Sequence, residues 1–406
     1  MPSEPLTPYQ RKLFLFLGVA TFFEGFDHMA LAQLLPTISE EMHLDEWQTG
    51  LLIAFTNVGT VLAYLLVRQA DRWGRKPLLT ITIAGYTIAT FVTGLVSDPI
   101  SFGILQLLAR VFLIGEWAIS MVYAAEEFPA ARRGSVIGVI SAFSALGAVL
   151  CAGIVPVLVR LPFGWRTVYF VGTIPLILLA LARRDLRETA RFLELGPAVG
   201  AAPSLFRIWR TPYIRRVLQM ALIWGLAYVC TQTAITFFKQ HCVQDLGMPD
   251  TRVGGLIALA AVVSMPFVFG VGRMLDRLGR KKTAVIVFTL TSLGCLGCYT
   301  LEGEALLFVP AVLAIFGAAA VLPVLNAFST ELFPTELRSD AFAWSNNLLG
   351  RLGYVVAPIA VGLAAEEVGW GLAVASTAIG PLLSLGLILL WLPETRGQEL
   401  EQTSRI

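Results

Sequence analysis

Long apolar runs alternate with short polar stretches along the whole chain. Runs of about 20 residues or more, enough to cross a hydrocarbon core at 1.5 Å of rise per residue, recur at about 12–36, 48–69, 77–97, 101–125, 135–159, 166–183, 213–238, 253–272, 283–301, 305–330, 339–364 and 369–392. Helices are the economical form for all of them, because lipid cannot satisfy open backbone groups. The pattern therefore predicts an all-α membrane protein with twelve transmembrane helices. Composition agrees: 56% of residues are hydrophobic and only 14% charged, against roughly 25% charged in soluble domains, and the mean hydropathy is +0.73. The first run is too long for a cleavable signal and continues into a helix that carries acids.

The basic residues set an orientation. With both termini cytoplasmic, the inner segments hold 24 of the 30 Lys and Arg residues. The outer segments hold four: Arg160, Arg166, Lys239 and Arg252. Arg110 and Arg351 remain inside the membrane. This asymmetry predicts a multi-pass protein with both ends cytoplasmic; a plasma (bacterial inner) membrane is the expected location. The net charge of +2 is spread over several short loops, which suggests no nucleic-acid partner. Cys295 and Cys298 form a C-x-x-C within a span and lack partner histidines, so helix packing outranks metal or redox chemistry. No nucleophile–base set, metal cluster or cofactor motif appears, and an enzyme is not expected.

Two stretches recur. Asp71-Arg72-Trp73-Gly74-Arg75-Lys76 follows the second run, and Asp276-Arg277-Leu278-Gly279-Arg280-Lys281 follows the eighth, 205 positions later (71 to 276). The same offset carries Glu126, Phe128, Pro129 and Arg133 onto Glu331, Phe333, Pro334 and Arg338. Two six-helix halves in the same orientation are the consequence, residues 1–183 and 212–406. The polar, Arg-rich stretch 184–211 reads as a cytoplasmic linker with a short surface helix over 187–194, and a short cytoplasmic tail follows Pro393.

The charges that the duplication leaves unshared are the informative ones. Shifted by 205, Glu24 falls on Val229, Asp27 on Gln232, Arg110 on Ile315 and Glu116 on Val321, while Arg351 falls back on Leu146. Acids inside a bilayer cost on the order of 2.5–3.5 kcal/mol each and mark functional sites. Glu24, Asp27 and His28 lie at i, i+3 and i+4, on one side of a helix. Counting nine residues from Pro36 to Asp27 and nine from Ser101 to Arg110 puts both at roughly 13 Å depth, with Glu24 and Glu116 deeper. Arg351 lies near the midplane and shares a helical face with Trp344, Asn347, Tyr354 and Pro358, a stripe suited to a flat anion. Each charge also has a plainer reading: Asp27 as a permanent partner of Arg110, Glu116 as a second partner of Arg110, Arg351 as a structural pair.

The repeated D-R-x-G-R-K loops and the twelve-helix, two-half layout resemble the major facilitator superfamily over essentially the whole chain. The first copy has Val67 where the family carries glycine; the second keeps Gly272. Glu24-Gly25-Phe26-Asp27 is similar to the D-G-x-D of aromatic acid/proton symporters, with Glu in place of the first Asp. Arg351-Leu352-Gly353-Tyr354 with Ala357-Pro358 resembles the R-x-G-x-x-x-A-P of organic anion transporters. The stretches Arg187–Leu193 and Leu392–Gly397 are similar to signatures shared by those families and the sugar porters.

The resemblance implies several roles. Spans one, four, seven and ten would line a cavity, making Asp27 with Arg110, at matching depth, the expected ion pair and adding Trp117, Tyr228 and Gln232 to the substrate-binding candidates Arg351, Asn347, Tyr354, Trp344 and His28. Proton coupling would fall to Asp27, Glu24, Arg110 and Glu116. In the gate, Asp71 would latch onto the start of span eleven and Arg75 onto Glu126 or Glu127, while Asp276 would reach the start of span five near Gly134 and Arg280 would reach Glu331. The expected function is import of a small organic anion with a proton by alternating access, by a functional monomer in the lipid bilayer. A drug- or metabolite-exporting proton antiporter, a sugar or metabolite porter and a transport-dead nutrient receptor are the rivals.

Overall fold

The computed structural model describes residues 6–182, 186–189, 193, 205–334 and 336–396, with their side chains except at 71, 130–135, 180, 182 and 205. Twelve long helices run through the described residues: α1 (Pro8–Glu41), α2 (Glu46–Val67), α3 (Arg75–Thr93), α4 (Pro99–Glu127), α5 (Ala130–Leu158), α6 (Arg166–Ala182), α7 (Ile214–Thr236), α8 (Asp250–Leu278), α9 (Arg280–Thr300), α10 (Glu304–Glu331), α11 (Leu352–Ser376) and α12 (Ile379–Trp391). α11 is entered through Arg338–Phe342 and a π-helical stretch, Ala343–Gly350. Among the described residues, nine stretches are long and apolar enough to cross a membrane, with Arg338–Trp391 counted as one. Threonine-rich α3 and the 17-residue α6 complete the set.

Contacts divide the chain into two compact units: residues 1–42 with 55–202, and residues 43–54 with 203–406. The boundary runs through α2, whose first turns group with the second unit.

In the first unit, α1 begins at a capping box. Thr7 Oγ1 accepts from Gln10 N at 3.2 Å and Gln10 Oε1 accepts from Thr7 N at 3.1 Å, satisfying donors that a helix start leaves open. The helix continues past Pro36, where the sequence suggested its outer end, to Glu41. Glu41 is held there by Trp165 Nε1 at 2.8 Å and Arg166 Nη1 at 2.5 Å. α1 and α5 cross at backbone contact: a Cβ on Gly25 would sit 2.0 Å from the Ser144 carbonyl oxygen, and one on Gly147 1.9 Å from that of Phe22. Only glycine permits this approach. Leu17, Ile83, Leu113, Ile140 and Leu176 join one buried core drawn from α1, α3, α4, α5 and α6.

The second unit repeats the close crossing between α7 and α11, where a Cβ on Gly353 would lie 2.5 Å from Gly225 O. Its core gathers Trp224, Phe288, Val324, Phe328 and Ile388 from α7, α9, α10 and α12. The expected short helix over 187–194 lies mostly outside the described residues, and 186–189 are not helical.

Candidate functional site

Membrane-embedded polar groups of the first unit collect where α1, α4, α5 and α6 meet. Arg110 of α4 is buried, and its Nη1 lies 2.6 Å from His28 Nδ1 of α1. A guanidinium has donors only, so Nδ1 accepts and a neutral His28 carries its proton on Nε2, with the ring on the exposed face of the unit. Asp27 is different. Its Oδ2 is buried without a hydrogen-bond partner, and its charged neighbours are Glu24 and Arg110. The direct Asp27–Arg110 pair suggested by equal depth is not formed among the described residues: α1 does not end at Pro36, so the count lacked its anchor, and Arg110 reaches the imidazole one position further on.

The two deeper acids have hydroxyl partners instead of cations. Ser144 Oγ of α5 donates to Glu24 Oε2 at 2.8 Å, and Ser120 Oγ donates to Glu116 Oε1 at 3.1 Å from the next turn of α4. Glu24 is close enough to act electrostatically on both Asp27 and Glu116. Tyr169 of α6 is a residue that sequence reasoning missed. Its hydroxyl is buried without a hydrogen-bond partner and lies within electrostatic reach of Asp27 and Arg110. Gly172, one turn further along α6, faces Asp27 Oδ1, 3.5 Å from the position of a Cβ. Trp117 is 38% exposed and outside this cluster of contacts.

In the second unit the π-helical stretch governs the geometry. Arg351 N donates to Asn346 O at 3.0 Å, a five-residue step; such bulges often sit at functional sites. The extra residue rotates the preceding turns relative to an α-helical count. Asn346, not Asn347, therefore meets α7: its Oδ1 accepts from Tyr228 Oη at 2.7 Å. Tyr228 stacks on Tyr354, with centroids 4.3 Å apart and planes at 30°. The uniform stripe linking Arg351 to Trp344 is corrected in the same way. Trp344 packs against Trp209 and Phe206, at centroid distances of 4.9 and 5.6 Å, a contact that commits its ring to packing. Asn347 and Arg351 are half-buried. Gln232 Nε2 donates to Thr236 Oγ1 at 3.2 Å within α7.

The loops between spans hold two matching networks. Arg75 Nη2 donates to Glu126 Oε1 at 3.1 Å, and the choice between Glu126 and Glu127 falls on the former. Arg280 meets Glu331 with Nη2–Oε1 at 2.6 Å and Nε at 3.1 and 3.2 Å from its two oxygens. Each arginine also caps the carbonyl five residues back, Ala70 and Leu275, at 3.1 Å. Gly74 and Gly279, both at φ 93°, supply the left-handed turn ahead of the helix.

A third member was not foreseen from sequence. Glu188 accepts from the amides of Arg75 and Lys76 at 3.0 and 3.1 Å, and Glu394 accepts from those of Arg280 and Lys281, both at 2.9 Å. Thr189 Oγ1 donates to Glu126 at 2.6 Å, and Thr395 Oγ1 donates to Glu331. Partial burial pushes the Glu394 carboxyl up, but backbone N–H groups of Arg280, Lys281, Arg396 and Thr395 outweigh it and hold the carboxyl below its ordinary value. Asp276 is exposed at the end of α8. The side chain of Asp71 and those around Gly134 lie outside the described residues, as do the latches expected of them.

Two helical units with unshared buried charges and matched loop networks describe a membrane carrier of small solutes. The family model of the Major Facilitator Superfamily matches residues 17–270 and 220–406, and the chain belongs to that superfamily. It is accordingly a multi-pass membrane transporter and not an enzyme. It is 24% identical to the putative niacin/nicotinamide transporter NiaP of Bacillus subtilis (strain 168) over 97% of this chain and 98% of that protein. It is 27% identical to the gallate transporter of Pseudomonas putida, over 96% and 93% of the two chains. Among solved structures, a mutant form of the nucleoside transporter NupG superposes with a TM-score of 0.79 at 14% identity, covering 93% of this chain and all of that one.

Proposed function

We propose that this chain is a proton-coupled importer of a small ring carboxylate, working as a monomer in a bacterial inner membrane with both termini cytoplasmic. The observation that carries the reading is Asp27 Oδ2, buried and without a hydrogen-bond partner beside an arginine that holds a histidine instead. Protonation removes the cost of that buried charge. While Asp27 is neutral, Arg110 rests on His28; once Asp27 ionises, Arg110 is drawn to it and His28 is released. The exchange couples a proton to a rearrangement of α1 against α4. Tyr169 stands by to donate a hydrogen bond to the ionised carboxylate. Glu24 and Glu116, with serine partners, adjust the electrostatics around Asp27.

In the second unit Arg351 binds the substrate carboxylate, and the Tyr228–Tyr354 stack, oriented by Asn346, covers the ring. Gallate and niacin, named for two relatives, are both ring carboxylates of this shape. The two six-helix halves, 1–183 and 212–406, rock about the linker, and the Arg75–Glu126–Glu188 and Arg280–Glu331–Glu394 networks brace the loops during the cycle. The coupling has an energetic rationale: a lone anion entering a cell at −100 mV is opposed by about 2.3 kcal/mol, which one proton cancels.

The test is uptake of labelled gallate and nicotinate into proteoliposomes. Uptake rises as external pH falls and collapses with a protonophore. In Asp27→Asn, gradient-driven uptake is lost while substrate counterflow persists. Uptake by this variant that still follows the proton gradient would refute the assignment.

A further inference from the structure

An apolar groove of about 460 Å³ runs along the outside of the first unit between α1 and α6, and Asp27 is not among its lining residues. Leu15, Val19 and Phe23 of α1 and Pro175 and Leu178 of α6 form much of its wall, and Leu186 and Tyr9 close one end. Leu15 and Leu178 are 63% and 62% exposed, so the groove opens sideways toward acyl chains. From Tyr9 to Phe23 is 14 helical residues, or about 21 Å, which matches one leaflet's hydrocarbon (about 15 Å) plus part of its headgroup layer.

The groove's charged groups lie at the Tyr9 end. Lys12 lines the groove there, and the Arg187 guanidinium stands 5.3 Å over the Tyr9 ring. Among nearby acids, Glu188 is engaged by the backbone amides of Arg75 and Lys76, and Glu127 is within electrostatic reach of Tyr9. An apolar slot one leaflet deep with Lys12 and Arg187 at its interfacial mouth is complementary to an amphiphile that carries a phosphate headgroup.

We propose that this groove binds a single anionic phospholipid, with an acyl chain along α1 and α6 and its phosphate at Lys12 and Arg187. The site also has a route to the transport machinery. Arg187 N donates to Tyr9 Oη at 3.3 Å and Tyr123 Oη donates to Arg187 O at 3.0 Å. Residues 186–189, which carry Glu188 and Thr189 into the Arg75–Glu126 network, therefore form part of the lipid's seat. A bound lipid steadies that segment whatever the transported substrate is.

The experiment uses the full-length, delipidated protein titrated with phosphatidylglycerol or phosphatidylcholine and followed by native mass spectrometry. One phosphatidylglycerol is retained roughly thirtyfold better than phosphatidylcholine, on the order of fivefold for each of two interfacial cations. Lys12→Gln with Arg187→Gln abolishes that preference. Leu15→Trp with Leu178→Trp, both exposed positions that leave the melting temperature unchanged, removes the retained lipid. A photoactivatable acyl-chain phosphatidylglycerol labels 9–23 and 175–179, and its binding slows amide exchange at 187 and 189. Equal retention of the two lipids overturns the headgroup assignment. Retention that survives both tryptophans, or labelling elsewhere, overturns the groove. A lipid-independent dimer lost in the tryptophan variant would assign the groove to a second copy of the chain instead.

Discussion

The loop that joins α2 to α3 and the loop that joins α8 to α9 hold the same groups in the same roles. In each, a left-handed glycine precedes an arginine that reaches a glutamate at the end of a later span, and a second glutamate accepts from two backbone amides at the start of the next helix. The membrane interiors share a glycine-lined helix crossing but no charged groups. The first unit gathers Glu24, Asp27, Glu116 and Arg110; the second offers Arg351 and paired tyrosines. Loop networks answer a problem both units have, fastening two helix ends to a third element, and the same solution serves twice. Interior charges answer different problems, so proton handling and anion binding diverge between units.

The largest expected effect would break the interior half of the comparison. Arg351→Ala lowers uptake of a ring carboxylate by about 100-fold, since charged hydrogen bonds are worth roughly 1.5–3 kcal/mol each, and Arg351→Lys recovers little because a single ammonium lacks the planar fork. Uptake rates at saturating proton gradient measure this. Full activity of the alanine variant would remove Arg351 from the binding site.

Next comes a difference between the matched loops. Arg280 contacts Glu331 through three short distances, Arg75 contacts Glu126 through one, and both pairs are mostly buried. Glu331→Gln is expected to destabilise by about 2 kcal/mol and Glu126→Gln by about half of that, read as the larger fall in melting temperature for the former. Equal shifts would mean that the two networks are energetically as alike as their sequences.

His28 sharpens the proton assignment. If Nδ1 accepts from Arg110, His28→Asn, whose Oδ1 reaches the Nδ1 position, keeps uptake within about twofold, while His28→Gln, which reaches only the Nε2 position, loses about tenfold, the worth of one hydrogen bond. A pH profile that changes in the asparagine variant would make His28 a titrating group instead. Tyr169→Phe shifts the pH dependence of uptake with little effect on folding if the hydroxyl serves Asp27, and leaves it unchanged if the residue is only packed.

The smallest effect concerns Glu394. Its carboxyl is held below the ordinary value near 4.5, so the ionised form contributes stability above that pH and the contribution is lost as pH falls through the lower, folded value. The melting temperature of Glu394→Gln should lie below that of the native chain at pH 7 by a degree or two, and the gap should close below about pH 4. A gap that widens on acidification would reverse the sign of the argument.

Much of this was legible without coordinates. The twelve runs and the unshared charges follow from the hydropathy pattern and the 205-residue offset, while the contacts of Arg75 with Glu126 or Glu127 and of Arg280 with Glu331 were implied by the family resemblance. Other features were not. Pro36 reads as a helix end, yet α1 continues because Glu41 is tied to Trp165 and Arg166, more than a hundred residues away in the chain. Asn347 reads as the neighbour of Arg351, yet the π-helical turn hands the contact to Asn346. Ser144 and Tyr169 look like ordinary span residues until α5 and α6 are packed on α1.

What the chain's own chemistry determined is the set of elements and their kinds, because a bilayer accepts only backbones that satisfy themselves and tolerates charge only where something offsets it. Which partner offsets each charge was decided by tertiary structure alone: a hydrogen bond acts over about 3 Å, and one extra residue in a turn, or a glycine that lets two helices touch, moves a side chain further than that.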